Sequence, residues 1–346
     1  MQADTITKEL PSLSMPFQDR GDLLRCPATG AALHLAPGEF VSSSGRRYPI
    51  EDGIPNFFVP VDPNMSDHDV TEMVKAFYEE TPFPNYDDLD SRESLAAKAR
   101  HSLFAAALDE QLPNGATVLE AGCGTGQLTN FLGLSWRRRV FGGDICHNSL
   151  RLADGFRTRF RIVNAAFLQM NLFRPPFRDE SLDVIISNGV LHHTGDPRAG
   201  YEGLLRKLKP GGYILIGMYN FYARLPTLWR RWAFKQFGPT LHFLDRRLVA
   251  GAMNEGRWQA WFRDQYRHPH ESRHSIDEIL GWFETSGVEF LSSLPAADGG
   301  NFTKATPLFA PQSRATASTR LAVQLQALLS GGQDGGLFIM IGRKRS

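Results

Sequence analysis

Val118-Leu-Glu-Ala-Gly122-Cys-Gly124-Thr-Gly126-Gln-Leu-Thr129 is the stretch on which the fold turns. Two apolar residues run into an acid, three glycines alternate, and a helix-compatible segment follows. This reads as a buried strand, a tight turn and a helix start. Glycines there let backbone N–H groups come close to a ligand, and the helix N-terminus adds its positive end. By itself the pattern is shared by several kinds of nucleotide-like cofactor site. The residues on either side decide among them.

In the dinucleotide fingerprint Gly-x-Gly-x-x-Gly the third glycine would fall where Gln127 stands. The pattern is instead Glu120-x-Gly-x-Gly-x-Gly, with an acid at the strand end. Arg139-Val-Phe-Gly-Gly143-Asp144-Ile145 is a second short strand that also ends in an acid. A carboxylate fixed at a strand's carboxyl edge can accept both hydroxyls of a ribose, and Ile145 suits an adenine face. A helix over residues 149–160 and a third strand lead to Gln169-Met-Asn171-Leu172. The fourth strand, Leu182 onward, ends in Asn188-Gly189-Val-Leu-His192-His193. A helix, the turn Pro210-Gly-Gly212 and a fifth strand, Tyr213-Ile-Leu-Ile216, complete the series. Taken singly, the glycines are compatible with a plain tight turn and Asp144 with a helix N-cap.

Taken together and in order, from about residue 117 to 217, these motifs resemble the class I S-adenosylmethionine-dependent methyltransferases. The resemblance implies an α/β, Rossmann-like, seven-stranded and mostly parallel sheet ending in an antiparallel hairpin, with S-adenosyl-L-methionine as cofactor. It places Glu120, Gly122, Gly124 and Gly126 around the methionine moiety, Asp144 on the ribose and Ile145 on the adenine. Asn171, beside Leu172, stands where the family usually has an Asp on the adenine amino group, and its carbonyl can still accept. Asn188 and Gly189 fall at the cofactor's amino-acid end.

Methyl transfer is an in-line displacement, so positioning supplies most of the catalysis, and a base is needed only when the acceptor keeps its proton. No Asn/Asp-Pro-Pro-Tyr/Phe follows the fourth strand, which argues against exocyclic amines of adenine or glutamine. No Pro-Cys stands there, which argues against cytosine C5. His192 and His193 are candidate general bases; the alternative is that they bond the loop.

Residues 220–274 are an insertion that the minimal fold does not need, rich in aromatics interleaved with arginines. It reads as a helical lid over a small acceptor with an oxygen or nitrogen nucleophile. Tyr219, Tyr222 and Tyr266 are candidate acceptor contacts. The same composition could serve RNA bases and phosphates. His270-Glu-Ser-Arg-His274 matches the zinc pattern His-Glu-x-x-His, which works only inside a helix. Pro269 precedes it, and Ser275-Ile-Asp-Glu278 is a capping box that starts the next helix. The histidines therefore lie largely in a loop and no metal is expected; His270 and His274 are candidates to close over the cofactor or bind the acceptor's polar group, and otherwise stabilise the lid loop. Beyond come a strand over 288–294, a long loop from Pro295 (disordered or part of the substrate mouth), a helix over 318–329 and an edge strand over 336–341.

Upstream, residues 22–60 contain Leu24-Arg-Cys26-Pro-Ala-Thr29 and Gly45-Arg-Arg-Tyr48-Pro-Ile50-Glu-Asp-Gly-Ile54-Pro55, short strands between Pro/Gly turns. This resembles the small zinc-ribbon family that activates tRNA, rRNA and protein methyltransferases. Only Cys26 of the four ligand positions remains; Thr29, Val41 and Ser44 replace the others. One thiolate cannot hold a structural zinc, so apolar packing of Leu24, Leu33, Tyr48, Ile50 and Ile54 is expected instead. Residues 61–66 read as a linker. A helix through Phe77 and Tyr78 stops before Pro82-Phe83-Pro84. Tyr78 and Tyr86 are placed to reach cofactor or acceptor, or else to pack with Phe77 and Phe83. A helix over 91–112 leads into the first strand. The expected divisions are 1–62, a ribbon-like module; 63–116, linker and helices; and 117–346, the catalytic domain.

A formal net charge of +1 over 346 residues argues against a dedicated nucleic-acid binder, and three scattered cysteines favour a reducing compartment. No signal peptide or membrane span is expected, so the address is cytoplasmic; the oligomeric state is not readable. The leading reading is a small-molecule methyltransferase. The alternatives are a tRNA or rRNA methyltransferase and a catalytically inactive cofactor-binding scaffold.

Overall fold

The computed structural model describes residues 15–60, 67–80, 82, 86, 91–238, 243–245, 248, 255–329 and 333–346. The expected linker over 61–66, together with Phe83, Pro84, Arg246 and Arg247, lies outside them. Four short antiparallel strands come first: β1 (Leu33–Ala36), β2 (Glu39–Ser42), β3 (Arg47–Glu51) and β4 (Ile54–Pro55). After the helix α1 (Asp67–Glu80) the chain enters α2 (Arg92–His101) and α3 (Leu103–Gln111). These replace the single helix expected over 91–112. Ser102 breaks it: with φ −78° and ψ 117° it leaves the helical region, and its side chain accepts from the Ala105 N–H to cap α3.

The main sheet has seven strands. In chain order they are β5 (Ala116–Ala121), β6 (Arg138–Asp144), β7 (Ala165–Gln169), β8 (Leu182–Asn188), β9 (Leu208–Tyr219), β10 (Val288–Leu294) and β11 (Leu337–Lys344). Their spatial order is β10-β11-β9-β8-β5-β6-β7, parallel from β9 to β7 and antiparallel through β11 and β10. The expectation of an edge strand over 336–341 is therefore corrected. β11 is paired on both sides, and β10 is the edge. Its run Leu-Phe-Ile-Met-Ile, almost wholly buried, is the composition of a strand covered on both faces.

Side chains alternate between two cores, as a period of two requires. Leu119, Phe141, Ile185, Ile214 and Met340 face one core; Val118, Val140, Ile186, Leu215 and Ile341 face the other. The first core takes in α6 (Pro197–Lys207) and α7 (Ile276–Thr285), and also the N-terminal strands, through Phe40, Tyr48 and Phe57. The second takes in α2 and α3 with α4 (Gln127–Gly133) and α5 (His147–Arg159). The N-terminal segment also covers the open edge of β7: Asn56 bridges Gln169, and the Phe57 N–H donates to the Gln169 carbonyl at 2.8 Å.

Between β9 and α7 run α8 (Leu225–Phe237), α9 (Glu255–Phe262) and a π-helical turn, Arg263–Arg267. The long loop from Pro295 is neither disordered nor part of the cavity mouth. It lies on the second core, where Leu308 is fully buried and both ends of the Gln111 amide bond it, to the Thr306 carbonyl and the Leu308 N–H. The last helix is Ala317–Leu329. No helix among the described residues is long and apolar enough to cross a membrane.

Candidate active site

A cavity of about 470 Å³ opens at the carboxyl ends of β5, β6, β8 and β9, the edge where open α/β sheets bind ligands. Glu120 ends β5 in the wall and accepts from the Thr129 hydroxyl on α4. Burial pushes its carboxyl up to about 7. The turn that follows has φ of +79°, +52° and +70° at Gly122, Gly124 and Gly126, values that disfavour any side chain. A Cβ at Gly122 would stand 2.4 Å from the Val190 methyls, and one at Gly126 2.5 Å from the Phe167 ring. Asp144 ends β6. Its Oδ2 accepts from the Gly124 N–H at 2.7 Å and its Oδ1 from the Cys146 N–H at 2.9 Å. One carboxylate thus ties the glycine turn to the start of α5, and lone pairs remain on both oxygens. Burial raises its pKa above the ordinary aspartate value. Ile145, Met170, Leu172 and Phe173 form apolar wall. Asn188 Oδ1 is buried without a hydrogen-bond partner among the described residues, and the Cβ position of Gly189 looks onto open space. Bare backbone, two strand-end carboxyls and an unpaired amide oxygen fit a ligand with an aminoacyl end, a diol and an aromatic base.

The other end is walled by the lid and α1. The Tyr78 hydroxyl on α1 donates to Asp264 Oδ1 at 3.0 Å, across 186 residues of chain. Gln265 Nε2 donates to Asp264 Oδ2 at 2.9 Å and to the Tyr219 hydroxyl oxygen at 3.0 Å. Its Oε1 accepts from Arg224 at 2.5 Å. Arg224, fully buried, holds Glu271 through two bonds of 2.9 and 2.6 Å and lies 3.7 Å from the Tyr219 ring centroid. His193 lines the cavity, and its Nδ1 is 2.9 Å from the His270 carbonyl. A carbonyl only accepts, so Nδ1 carries the proton and Nε2 keeps its lone pair. Burial drives His193 down to about 3 and keeps it neutral.

Residues 119–216 match the methyltransferase-domain family. Demethylmenaquinone methyltransferase of Lactococcus lactis is 30% identical over 176 residues, covering 49% of this chain and 68% of that protein. The chain belongs to the class I S-adenosylmethionine-dependent methyltransferases. It is also similar to the tRNA (carboxymethyluridine(34)-5-O)-methyltransferase of Arabidopsis thaliana, 32% identical over 150 residues and covering 42% of this chain. An uncharacterised Synechococcus protein is 28% identical over 249 residues, 64% of this chain. The chain spans only 34% and 60% of those two relatives.

In this methyltransferase the structure brings Glu120, Gly122, Gly124, Asp144, Ile145, Asn171, Leu172, Asn188, Gly189, His193, Tyr78 and Tyr219 to one cavity wall. Gly126 stands behind it as the residue before α4. Asn171 is committed on both sides: its Nδ2 donates to the Val59 carbonyl and its Oδ1 accepts from the Phe173 N–H. The structure corrects the placement of six other candidates. His192 is fully buried off the wall, tilted against the Tyr219 ring at 3.9 Å, with neither ring nitrogen partnered among the described residues. Tyr86 bonds the Thr125 carbonyl and Asn130 and stacks on Phe156. Tyr222 packs on Phe221. Tyr266 donates to Asp245 within the lid's own core. His274 is held by Glu278 and Ser272. His270 contributes its carbonyl, which also sits 2.6 Å from His268 Nδ1. Glu278 meets His274 rather than closing a capping box; Ser275 alone caps α7. Among the described residues no group of three or more His, Cys, Asp or Glu side chains is arranged to hold a metal ion.

Sequence reasoning missed Asp264, Gln265 and Arg224. Asp264 is the one acid in Trp261-Phe-Arg-Asp-Gln-Tyr-Arg267, a signal hidden by the aromatics and arginines around it. The π-helical turn that aims it has no sequence period of its own.

Proposed function

We propose that this methyltransferase acts on a small-molecule acceptor enclosed beneath residues 220–274, through an oxygen or nitrogen nucleophile. The observation that carries it is the closure of the cavity's far end by the Tyr78–Asp264–Gln265–Tyr219 chain. We read Glu120, the Gly122–Gly124 turn, Asn188 and Gly189 as holding the cofactor's aminoacyl end. Asp144 would take the ribose hydroxyls, and Ile145, Asn171 and Leu172 the adenine. When bound, S-adenosylmethionine supplies an electrophilic methyl group on a sulfonium. The protein's part is to exclude water, align the acceptor and accept its hydrogen bond. His193 Nε2, bare and neutral, is the group we assign to that last task. With a pKa held near 3 it is a weak base, which suits an acceptor that reacts before its proton is fully lost.

An RNA acceptor is the second reading, supported by the similarity to the Arabidopsis tRNA enzyme. Against it, Arg224 and Arg231 turn inward onto Glu271, and Arg263 pairs with Glu80. Arg224 and Arg231, spent on Glu271, are not offered to phosphates. We also keep residues 1–62 as a ribbon-like module without metal. Thr29 and Ser44 meet at 3.2 Å, Ser44 and Ser42 at 2.9 Å, and Cys26 and Tyr48 at 3.0 Å, so hydroxyl bonds join the apolar packing there. The three cysteines are free and buried, which supports a cytoplasmic setting. Incubation with methyl-labelled cofactor and fractionated lysate tests the assignment. Label is expected in the low-molecular-mass fraction, and label confined to RNA would overturn it.

A further inference from the structure

The cavity is lined by three carboxyl groups, Glu120, Asp144 and Asp264, and among the described residues by no lysine or arginine. The first two stand at strand ends by the glycine turn, where the proposed function puts the cofactor. Asp264 is left for something else. It is 7% exposed, and each of its oxygens accepts one hydrogen bond from protein, leaving a lone pair on each side. Arg224 lies near but is held bidentate by Glu271, so Asp264 has no cation of its own.

Among the described neighbours the Tyr219 hydroxyl, which accepts from Gln265 Nε2, keeps its own proton as a donor; the others cannot turn to offer one. The Gln265 amide is fixed, its oxygen on Arg224 and its nitrogen on Tyr219 and Asp264. His193 donates through Nδ1 to the His270 carbonyl, and its Nε2 has no partner among the described residues. The polar inventory here is dominated by lone pairs, flanked by the rings of Tyr78, Tyr219 and Trp261. Such a wall suits a ligand that brings its own N–H donors, and positive charge is favoured by the carboxylate. An anionic group would face a buried like charge, with no lysine or arginine among the described residues of the cavity wall to pair with.

We infer that the methyl acceptor is an amine, its N–H groups on the Asp264 carboxylate and His193 Nε2 and its apolar body against Tyr78, Tyr219 and Trp261. One N–H proton passes to the Asp264 carboxylate, the freed nitrogen lone pair forms the N–CH3 bond, and the S–CH3 bond of the cofactor breaks to leave S-adenosylhomocysteine. This rests on the reading of an enclosed small-molecule acceptor and narrows its chemistry.

The test is calorimetric titration of the S-adenosylhomocysteine-loaded full chain with benzylamine, phenethylamine and tyramine, and with the matched carboxylates benzoate, phenylacetate and 4-hydroxyphenylacetate. At least one amine is expected to bind at least tenfold more tightly than its carboxylate partner. Asp264→Asn, which keeps the shape and exchanges an acceptor for a donor, is expected to erase that preference while S-adenosylhomocysteine still binds. Equal or tighter binding of the carboxylates, silence from all three amines, or an unchanged preference in the variant each overturn the inference. If Asp264→Asn does not fold, as a thermal melt will show, the wild-type preference decides alone. Label entering RNA in the lysate experiment would instead bring down the small-molecule reading itself.

Discussion

His192 and His193 are adjacent in sequence and opposite in circumstance. Only His193 reaches the cavity, with one nitrogen satisfied by the His270 carbonyl; His192 is sealed away with neither satisfied among the described residues. Burial, with the neighbouring His193 and Arg224, holds the His192 pKa well below the ordinary value. Between about pH 6.5 and that depressed value the unfolded chain binds a proton that the native chain refuses. Native stability is therefore lost as pH falls through this window, at about 1.4 kcal/mol per pH unit for such a group. His192→Phe removes the term and two unpaired nitrogens. Its stability in urea relative to wild type is expected to improve by roughly 1.4 kcal/mol between pH 6.5 and 5.5. Parallel pH curves for the two proteins would show that the site admits the proton after all. Asp144 is the residue-scale test of the cofactor end. Asp144→Ala removes the proposed ribose acceptor and frees the Gly124 N–H, so S-adenosylhomocysteine affinity is expected to fall at least tenfold, ~1.4 kcal/mol, by titration calorimetry. Undiminished affinity would refute the assignment.

At the scale of elements, the strands and helices that build the cofactor end were legible because each carries a period and a punctuating residue: an acid at a strand end, a glycine at the turn. Where an element's identity depended on its neighbours, the sequence was mute. Residues 336–341 read equally well as edge or interior, and only pairing with both β9 and β10 distinguishes them. Ser102 could have been read as a cap, but an unbroken helical pattern concealed it. The lid was visible as composition, and its workings were not, since Arg224 looks like any other arginine among nine. In the fold it is the hinge-pin between β9, the π-turn and the loop holding Glu271. Arg224→Met leaves Glu271 buried with only the partly exposed Arg231 beside it. A loss of about 3–5 kcal/mol is expected, read as an earlier urea midpoint and faster proteolysis within residues 220–274. A variant as stable as wild type would mean that the ion pair is dispensable to the lid.

On the scale of the whole molecule, the described N-terminal residues share one core with the main sheet. Phe17 packs at a tilt against Phe141, and the Val59 carbonyl accepts from the Asn171 amide. The N-terminal strands shield the β7 edge and one wall of the first core. Removing residues 1–60 is thus expected to yield a chain that aggregates, by size-exclusion chromatography, because it bares an apolar face and an unpaired strand edge. A monodisperse truncated chain that still binds S-adenosylhomocysteine would show that the segment is an accessory. The acceptor end was hardest to read from sequence for a related reason. It is assembled from α1, the loop after β8, β9 and the lid, four parts far apart in the chain, and no local pattern records their meeting.

The oxygen of His270 sits between the Nδ1 atoms of His193 and His268, whose rings lie 3.7 Å apart. It belongs to the lid loop, and the ring it disciplines belongs to the sheet. Were that loop lifted, His193 would lose the partner that keeps its proton on Nδ1, and the proton would be free to sit on Nε2, turning an acceptor into a donor. The tautomer is in that sense a latch sensor: the imidazole faces the acceptor with a lone pair only while the door is shut.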